Sequence, residues 1–394
     1  MPTIRGWAAL GASLALILLW VGFGEQLLLG VAVFLLLAVG FGVVYVRRSV
    51  PRVAARRSIS PVQVHDGDRA VVELEISTSK RVAQIVAEDT VHGLGSARFV
   101  ADRVAPRAAV VARYEVLSRP RGVYRVGPAS VVVRDLLAMA EAGGSTGRVD
   151  RLVVYPAVED LHGLPIVRGR DPTVNTSRSS FSPTGGDDFF TLREYQQGDD
   201  LRRVHWPSSA KRDELMIRQL EMPWQSRAFV LLNPRAASYP SSEAFEHAVR
   251  GAASAVRHLY HRGFSPTLWL GETSTTTVTT ADSYAVAMEA LAVVSTRNEV
   301  SLPAMVRRLA REGLSGGALI LVTGQPDDED LMAYRMLSTR YLRTMVMSVS
   351  QNPNEAILRL EQVGAVTVMA RPGASWAPAW REAMERAWST ATAG

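Results

Sequence analysis

The sequence predicts three regions in order: a transmembrane helical hairpin, a small antiparallel β-sandwich, and an α/β domain with a doubly wound sheet. Three observations lead to this fold class. Two long apolar runs without charged residues occupy positions 7–24 and 26–46. Short β-branched and apolar segments separated by Gly and Pro fill residues 58–158. Strand-like and helix-like segments then alternate from residue 228 to residue 388.

Composition limits the classes of function. The chain has 394 residues, which is too long for one compact domain, and 47% of them are hydrophobic, which argues against global disorder. It contains no cysteine. Disulfides, cysteine-ligated zinc, iron–sulfur clusters and cysteine nucleophiles are therefore excluded, and the composition fits a reducing compartment.

Most of the net charge lies beside the apolar runs. The formal charge is +6, from 44 Lys and Arg against 38 Asp and Glu. Residues 1–57 contain six arginines and one acid, Glu25, and so carry +5 of that charge. The six are Arg5, Arg47, Arg48, Arg52, Arg56 and Arg57. Because this charge borders apolar segments, it favours a membrane surface as partner, and no nucleic acid is expected.

Each apolar run is close to the ~20 residues that a helix needs to cross a bilayer. Gly24 and Glu25 lie between the runs as a tight turn. The positive-inside tendency keeps the later arginines in the cytoplasm. We therefore expect region 1–57 to be a two-helix anchor in the inner or plasma membrane, with both termini cytoplasmic. A cleaved signal peptide is the alternative, but its charged start would be weak and a second full-length apolar run follows.

Residues 58–158 form the predicted sandwich. Residues 70–76 alternate in part between apolar and polar, and 108–117 and 130–133 are further β-branched or apolar runs. Short strands at this spacing indicate a small antiparallel sandwich. Residues 119–128, Arg-Pro-Arg-Gly-Val-Tyr-Arg-Val-Gly-Pro, look like a turn that feeds an edge strand.

The remaining chain divides into a linker and an α/β domain. Residues 159–188 are polar and turn-rich, which predicts a linker, and Phe181 alone gives no stacking platform for single-stranded nucleic acid. In the predicted domain 189–394, the strands are 228–232, 267–270, 318–323, 344–349 and 366–369, and the helices are 242–262, 283–294, 303–311, 328–340, 355–362 and 377–388. This alternation predicts a parallel sheet with helices on both faces, where ligands bind at the carboxyl ends of the strands.

The stretch 192–218 is dense in charged and turn-forming residues. Gly198 allows a turn, and Asp199 or Asp200 can cap the short helix that follows. The stretch resembles the signature of the family called domain of unknown function 58. That signature is Arg-x-Tyr-x-x-Gly-Asp, then Arg-x-x-His/Asp-Trp, then Ser-Ala-Arg/Lys and Leu-x-x-Arg. The matching positions are Arg193, Tyr195, Gly198, Asp199, Arg202, His205, Trp206, Ser209, Ala210, Lys211, Leu215 and Arg218.

The resemblance extends over nearly the whole chain. The family combines a membrane hairpin, a β-rich region with the element found at 121–128, the signature, and a von Willebrand factor A-like domain. It implies a membrane-anchored partner of MoxR-type AAA+ ATPases. We expect the signature residues, together with Asp200 and the carboxyl edge of the sheet, to form the interaction surface.

Von Willebrand factor A-like domains often bind a divalent cation through Asp-x-Ser-x-Ser after the first strand. Here Asn233, Arg235 and Ala237 stand at those three positions. A guanidinium repels a cation, so we expect no metal and no other cofactor. Acidic residues follow the later strand 318–323 and either supply oxygen ligands or cap and charge the next helix. They are Asp327, Asp328, Glu329 and Asp330.

Three function classes remain. An adaptor is favoured, because the chain has neither a Walker-type phosphate loop nor a Gly-x-Ser-x-Gly elbow, so no enzyme is expected and ATP hydrolysis falls to a partner. The first alternative is a hydrolase in which His205 acts with Asp199 or Asp200, although no serine nucleophile is marked. The second is an extracellular adhesion module, which requires the opposite topology and an intact cation site.

Two further patterns have structural explanations. His258 and His261 lie three apart, with His247 further back, and are expected on a helix surface. Aromatic and methionine residues recur every four positions on the last helix and are expected to cover the sheet. They are Trp376, Trp380, Met384 and Trp388.

Overall fold

The computed structural model describes residues 1–50, 53–163, 190–195, 201, 204–212, 214–220, 227–271, 275–298, 302–311, 316–350 and 352–392. The chain divides into two compact units, residues 1–157 and residues 158–394, which we call the first and second units.

Two apolar helices open the first unit, as predicted. They are α1 (Ile4–Phe23) and α2 (Gln26–Ser49), and both are long and apolar enough to cross a membrane. The Thr3 hydroxyl caps α1 by accepting the Gly6 N–H, and Gly24 ends it in the left-handed conformation at φ +74°. This conformation is one that glycine adopts without strain. The helices run antiparallel and in contact, with the Ser13 hydroxyl donating to the Ala32 carbonyl at 2.8 Å.

The rest of the first unit is a two-sheet sandwich. Its strands are β1 (Val53–Ser60), β2 (Gln63–His65), β3 (Arg69–Thr78), β4 (Val82–Val91), β5 (Gly95–Val104), β6 (Ala109–Leu117), β7 (Gly122–Val126), β8 (Ala129–Arg134), β9 (Glu141–Thr146) and β10 (Asp150–Tyr155). One sheet has the order β1-β3-β6, and the other has the order β2-β10-β7-β4-β8-β9 with β5 also on β4. Pairing is antiparallel except between β2 and β10. The buried side chains of both sheets mix in shared clusters, so the sheets pack face to face.

Two details differ from the predicted arrangement. Strand β7 lies between β10 and β4, and is therefore not an edge strand. Glycine and proline flank β7 at both ends and keep it short, so its sequence resembles that of an edge strand.

Strand β1 begins at Val53, inside the predicted basic segment. It carries Arg57, which is buried and paired with Asp89 and with Asp150 at 2.8 Å. Arg57 is thus part of the sandwich core and does not lie at a membrane surface.

The second unit contains the predicted α/β sheet. Its strands are β11 (Phe190–Glu194), β12 (Met216–Leu220), β13 (Arg227–Leu232), β14 (Ser265–Trp269), β15 (Thr275–Thr277), β16 (Gly316–Thr323), β17 (Tyr341–Val349) and β18 (Val366–Ala370). Its helices are α3 (Trp206–Arg212), α4 (Ser242–His261), α5 (Ala281–Val293), α6 (Leu302–Arg311), α7 (Asp328–Ser338), α8 (Glu355–Gln362) and α9 (Trp376–Thr392). The main sheet has the order β15-β14-β13-β16-β17-β18, and only β15 pairs antiparallel.

Helices cover both faces of this sheet. Side chains of α6, α7 and α8 share a buried cluster with alternate residues of β13 and β16, such as Phe229 and Leu319. The intervening strand residues, such as Val230 and Ile320, are also buried and point to the opposite face. Helix α4 packs there against the strands. The order of the parallel strands reverses between β13 and β16, and a doubly wound sheet places its binding crevice at such a point.

Helix α9 packs on α4 through the predicted aromatic stripe. Trp376, Trp380 and Met384 are buried, whereas the side chain of Trp388 is outside the described residues. His247 stacks on Trp376 with ring centroids 4.8 Å apart. The Nε2–H of His258 donates to the Gly163 carbonyl at 2.8 Å, because a carbonyl oxygen can only accept. The expectation that both lie on a helix surface is wrong, because α4 is covered by the sheet and also by α9.

Residues 159–163 belong to this packing although they fall at the predicted start of the linker. The Glu159 carboxylate accepts the N–H groups of Trp376 at 2.7 Å and Ala377 at 3.2 Å, which caps α9. Glu159 N–H in turn donates to the Ser254 hydroxyl of α4 at 2.9 Å. The remainder of the predicted linker, 164–188, lies outside the described residues.

Candidate functional site

The signature forms a strand, a short helix and a returning strand. Strand β11 pairs antiparallel with β12, and α3 lies between them in the chain. The Tyr195 N–H donates to the Leu215 carbonyl at 2.8 Å, and the His205 N–H donates to the Met216 carbonyl at 2.7 Å. These bonds continue the hairpin beyond its regular ladder and bring the start of α3 against β12.

Ser209 joins the helix to the strand. This buried side chain accepts the Met216 N–H at 2.8 Å and donates to the His205 carbonyl at 3.1 Å. A buried hydroxyl that both donates and accepts leaves no orphaned backbone group at the junction. Ser209 is therefore a structural member of the signature, and its position fixes the face that α3 turns towards solvent.

That solvent face carries Trp206, which is 67% exposed. Lys211 on α3 and Leu201 just before it are exposed as well. The Val204 N–H donates to the Leu201 carbonyl at 3.3 Å, so a single turn of chain separates Leu201 from the start of α3. A large aromatic side chain thus stands in solvent on a helix that a buried serine holds in place.

The other signature residues are only partly described. Gly198, Asp199, Asp200 and Arg202 lie outside the described residues. Arg193 is in β11 opposite Ile217, and Arg218 is in β12 opposite Leu192, but their side chains are not described. Of the groups named in the hydrolase alternative, His205 is described and Asp199 and Asp200 are not. The Nδ1 atom of His205 lies 2.8 Å from the Ser208 hydroxyl.

A second polar cluster lies at the point where the strand order reverses. Asn233 follows β13 directly and is fully buried. Its amide Nδ2 lies 3.0 Å from the Ser238 hydroxyl, 3.1 Å from the Thr323 hydroxyl and 3.0 Å from Asp330 Oδ1. Its Oδ1 accepts the Arg235 N–H at 3.0 Å. Asn233 therefore links the ends of β13 and β16 to the first turn of α7.

Arg235 fills this cluster with its guanidinium group. It pairs with Asp327 and lies 3.0 Å from Glu329 and 3.9 Å from Asp330, while Nε donates to the Ser238 hydroxyl at 3.1 Å. The Arg235 side chain is mostly buried, and the positive charge stands among three carboxylates. An arginine thus occupies the crevice that a cation would otherwise have to enter.

The acidic residues have identified structural partners. Asp327 is the N-cap of α7 and accepts the Glu329 N–H at 2.9 Å and the Asp330 N–H at 3.1 Å. Of the two uses predicted for these acids, capping is therefore the one observed for Asp327. Among the described residues, no group of three or more His, Asp or Glu is placed to hold a metal ion.

Electrostatics in the crevice follow from burial. Burial and the neighbouring Asp327 raise the pKa of Asp330 to about 7, while its hydrogen bonds and Arg235 act in the opposite direction. Burial alone would raise the pKa of Asp327, but the hydrogen bond from Arg235 and the backbone N–H groups lower it below 3.8. The cluster holds one buried carboxyl that protonates readily beside one that stays ionised.

Sequence reasoning missed part of this cluster. In the Asp-x-Ser-x-Ser pattern the second serine would stand at position 237. Here Ala237 is exposed, and the next residue, Ser238, supplies the hydroxyl. Tyr239 is buried and donates from its hydroxyl to the Asn233 carbonyl at 2.6 Å. A serine one position beyond the expected one was the available signal for Ser238, but no sequence signal places Thr323 or Tyr239 here.

Comparison with known families supports the predicted resemblance. Residues 191–309 match the family described as "Protein of unknown function DUF58". The chain carries a DUF58 region. This region contains the signature hairpin and also Asn233 and Arg235. Four other members of the second cluster, Thr323, Asp327, Glu329 and Asp330, lie beyond the end of the matched part.

A DUF58 relative and two solved structures give further similarity. The chain is 28% identical over 225 residues to "Uncharacterized protein YeaD" of Bacillus subtilis (strain 168), covering 53% of each chain. It thus spans about half the length of that relative. The CARDB domain of a Pyrococcus furiosus protein is 13% identical, covers 26% of this chain and 91% of its own, and has a TM-score of 0.21. Cwp6 from Clostridium difficile is 8% identical, covers 85% and 56%, and has a TM-score of 0.17. TM-scores this low carry no structural argument.

Proposed function

We propose that this DUF58 chain is a membrane-anchored adaptor that faces the cytoplasm and binds a protein partner through its signature helix α3. The partner class comes from the family resemblance, which points to a MoxR-type AAA+ ATPase. The chain has no Walker-type loop, so the partner supplies ATP hydrolysis. The adaptor presents or positions a client protein for that ATPase.

The exposure of Trp206 carries the proposal. A tryptophan side chain can bury 150–250 Å² on binding, so leaving it in solvent forgoes a large hydrophobic gain. Tryptophan is also enriched among the residues that dominate binding energy at protein interfaces. Ser209 holds the same helix in place through buried hydrogen bonds. Trp206 is therefore presented on a fixed support, which suits insertion into an apolar pocket of the partner.

The anchor rests on α1 and α2. Most of their large apolar side chains are exposed, including Leu18, Phe34 and Phe41, and the length of both helices suits coverage of this surface by lipid. Arg47 and Arg48 lie in the last turn of α2. Their position supports a cytoplasmic location for that end and for the sandwich that follows it, under the positive-inside tendency.

We assign the second unit to the von Willebrand factor A-like fold within the same proposal. The parallel strands follow the order β14-β13-β16-β17-β18, with helices on both faces. Asn233 and Arg235 stand at the carboxyl end of β13, where that fold places its cation ligands. In this chain the crevice holds an internal guanidinium, and the exposed α3 surface takes over partner binding.

Affinity capture tests the proposed adaptor role. The full chain is captured in gentle detergent with ATP from the cells that make it, and bound AAA+ ATPase is quantified by mass spectrometry. Trp206→Ala should lower recovery about thirtyfold, because a hot-spot truncation costs about 2 kcal/mol or more. Val293→Ala is the matched control, since Val293 is also exposed, at 60%, but lies at the end of α5. Equal ATPase recovery with both variants, or none with the unaltered chain, would contradict the proposal.

A further inference from the structure

The turn between β8 and β9 exposes an unusual apolar cluster. It consists of Leu136, Leu137, Ala138 and Met139, which we call the apolar tip. Leu136 is 83% exposed and Leu137 is 53% exposed. Two adjacent leucines at the end of a hairpin face solvent although polar turn residues would serve the turn equally well.

Part of the tip backbone is paired within the turn itself. Asp135 precedes the tip and is buried, and its carboxylate accepts the N–H groups of Leu137 at 3.1 Å and Ala140 at 2.7 Å. The Ala138 N–H donates to the Asp135 carbonyl at 3.0 Å. A turn that enters an apolar medium needs such internal partners, because lipid offers none for backbone groups.

The tip is bonded to the N-terminal end of α1. The Thr3 hydroxyl donates to the Ala138 carbonyl at 2.6 Å, and the Thr3 N–H donates to the Met139 carbonyl at 2.9 Å. Gly6 lies so close that a Cβ there would overlap the Met139 carbonyl. The carbonyls of Ala138 and Met139 are thus paired, and α1 can approach only because residue 6 is glycine.

The same hairpin also touches α2 well inside its apolar stretch. A Cβ at Gly42 would be 3.4 Å from the Cβ of Ala140 and from the Asp135 carboxyl. Gly42 precedes Arg47 by five residues, which is about 7.5 Å along a helix at 1.5 Å per residue. If Arg47 lies at the headgroups, the hairpin end lies at the boundary between headgroups and acyl chains, within the roughly 5–10 Å depth of interfacial apolar elements.

We propose that the apolar tip inserts into the cytoplasmic leaflet beside α1 and α2, with lipid acyl chains as its occupant. The proposal rests on the membrane anchoring proposed above. Lipid is favoured because the tip is continuous with the exposed apolar surface of the two helices, and because several of its backbone groups, including the Ala138 and Met139 carbonyls, are already paired. Inserted leucines give the sandwich a third contact with the bilayer and restrict its rotation about the helix axes.

The absence of native cysteine allows a direct test. Leu136→Cys and Leu137→Cys are each labelled with an environment-sensitive fluorophore, and the full chain is reconstituted in phosphatidylcholine–phosphatidylglycerol vesicles. Quenchers attached to the acyl chains should reduce the fluorescence of both labels. Unchanged melting temperatures of the labelled chains show that they are folded, which exposed sites should permit.

Two further sites serve as controls. Leu37→Cys, on an exposed position of α2, reports on the anchor itself. Leu117→Cys is the second control, since Leu117 is 58% exposed at the last residue of β6. It lies eight residues, or about 26 Å along the strand, from Ala109 at the other end, which pairs with Ser77. Quenching at 136, 137 and 37 but not at 117 supports the proposal. Quenching at 37 alone overturns the tip insertion and leaves the anchor intact, and no quenching at 37 overturns both.

Discussion

At the residue scale, the signature of this chain separates into a residue that holds the fold and a residue that is available for binding. Ser209 is buried and hydrogen-bonded on both sides, whereas Trp206 is exposed three positions earlier. The same helical turn therefore serves both purposes. The signature pattern alone cannot distinguish them, because both residues match it equally well.

Ser209→Ala should loosen the junction between α3 and β12. The change leaves the buried Met216 N–H without a partner, which costs about 1–3 kcal/mol. Hydrogen exchange of the Met216 amide should then become roughly tenfold faster or more, at 1.4 kcal/mol per factor of ten. Ser208→Ala is the control, since Ser208 contacts the His205 ring and not β12. Unchanged exchange at Met216 in Ser209→Ala would refute this role.

His247 is the second informative residue. It is buried between α4 and α9, stacked on Trp376, and its Nε2 has no partner in the described structure. Burial and the nearby Arg250 lower its pKa to about 4, although Glu159 acts in the opposite direction. In mild acid, a histidine with this pKa stays neutral in the folded chain, whereas the same histidine is protonated in the unfolded chain.

Stability should therefore fall as the pH is lowered from about 6.5 to about 4, because the unfolded chain binds the proton more readily in that window. The slope from His247 is at most about 1.4 kcal/mol per pH unit. His247→Phe keeps a ring against Trp376 and removes the titration, so its profile should be flatter. Urea unfolding of the full chain in detergent at several pH values measures both.

Other titrating groups do not obscure this comparison. Asp330 and His258 are present in both chains, so their contributions cancel in the difference. Identical pH slopes for the two chains would mean that His247 does not titrate as described.

At the element scale, the end of β13 and the start of α7 meet around Arg235. The guanidinium pairs with Asp327 and lies close to Glu329 and Asp330, and Asn233 replaces an acid that would have added a further negative charge. Replacing Asn233 by an acid and removing the guanidinium of Arg235 would recreate an oxygen-rich site for a hard cation. Ser238 and Thr323 would serve as its neutral oxygen donors.

The double variant Asn233→Asp/Arg235→Ser should consequently gain stability from Mg²⁺. If Mg²⁺ binds only the folded state, it adds about 2.7 kcal/mol to the free energy of unfolding when its concentration is one hundred times the dissociation constant. Thermal melting of the full chain with and without Mg²⁺ measures the gain. Arg235→Ser alone should be destabilised and rescued less, since Asn233 remains neutral. An equal Mg²⁺ response in the unaltered chain would contradict the view that Arg235 fills the crevice.

Much of the element order could be predicted from the sequence. The helix 355–362 and the strand 228–232 agree closely with α8 and β13, because hydrophobic periodicity decides such elements locally. Strand β4 was not identified, since it is buried along much of its length and shows no clear alternation. The sandwich was therefore predicted as a class, without its strand order.

The sites were less predictable, for a physical reason. Arg57 and Arg235 look like surface cations in sequence, but each is buried against carboxylates far away in the chain. Ser209 acquires its role only when α3 turns back onto β12. Such roles depend on contacts between distant segments, which periodicity and composition do not encode.

At the scale of the whole molecule, the proposals assign a separate task to each unit. The first unit anchors the chain through α1, α2 and the apolar tip, and the second presents α3 to a protein partner. The region 191–309 that matches the DUF58 family model contains α3, so the proposed partner-binding element lies in the matched part.

Site-specific photo-crosslinking in living cells tests the adaptor claim most directly. A photoreactive amino acid is placed at position 206 or, as a control, at position 293, and crosslinked partners are identified by mass spectrometry. The proposal predicts that a AAA+ ATPase is crosslinked from 206 and not from 293, because only Trp206 lies on the proposed surface. Crosslinking of that ATPase from 293 alone, equally from both positions, or from neither would contradict the account.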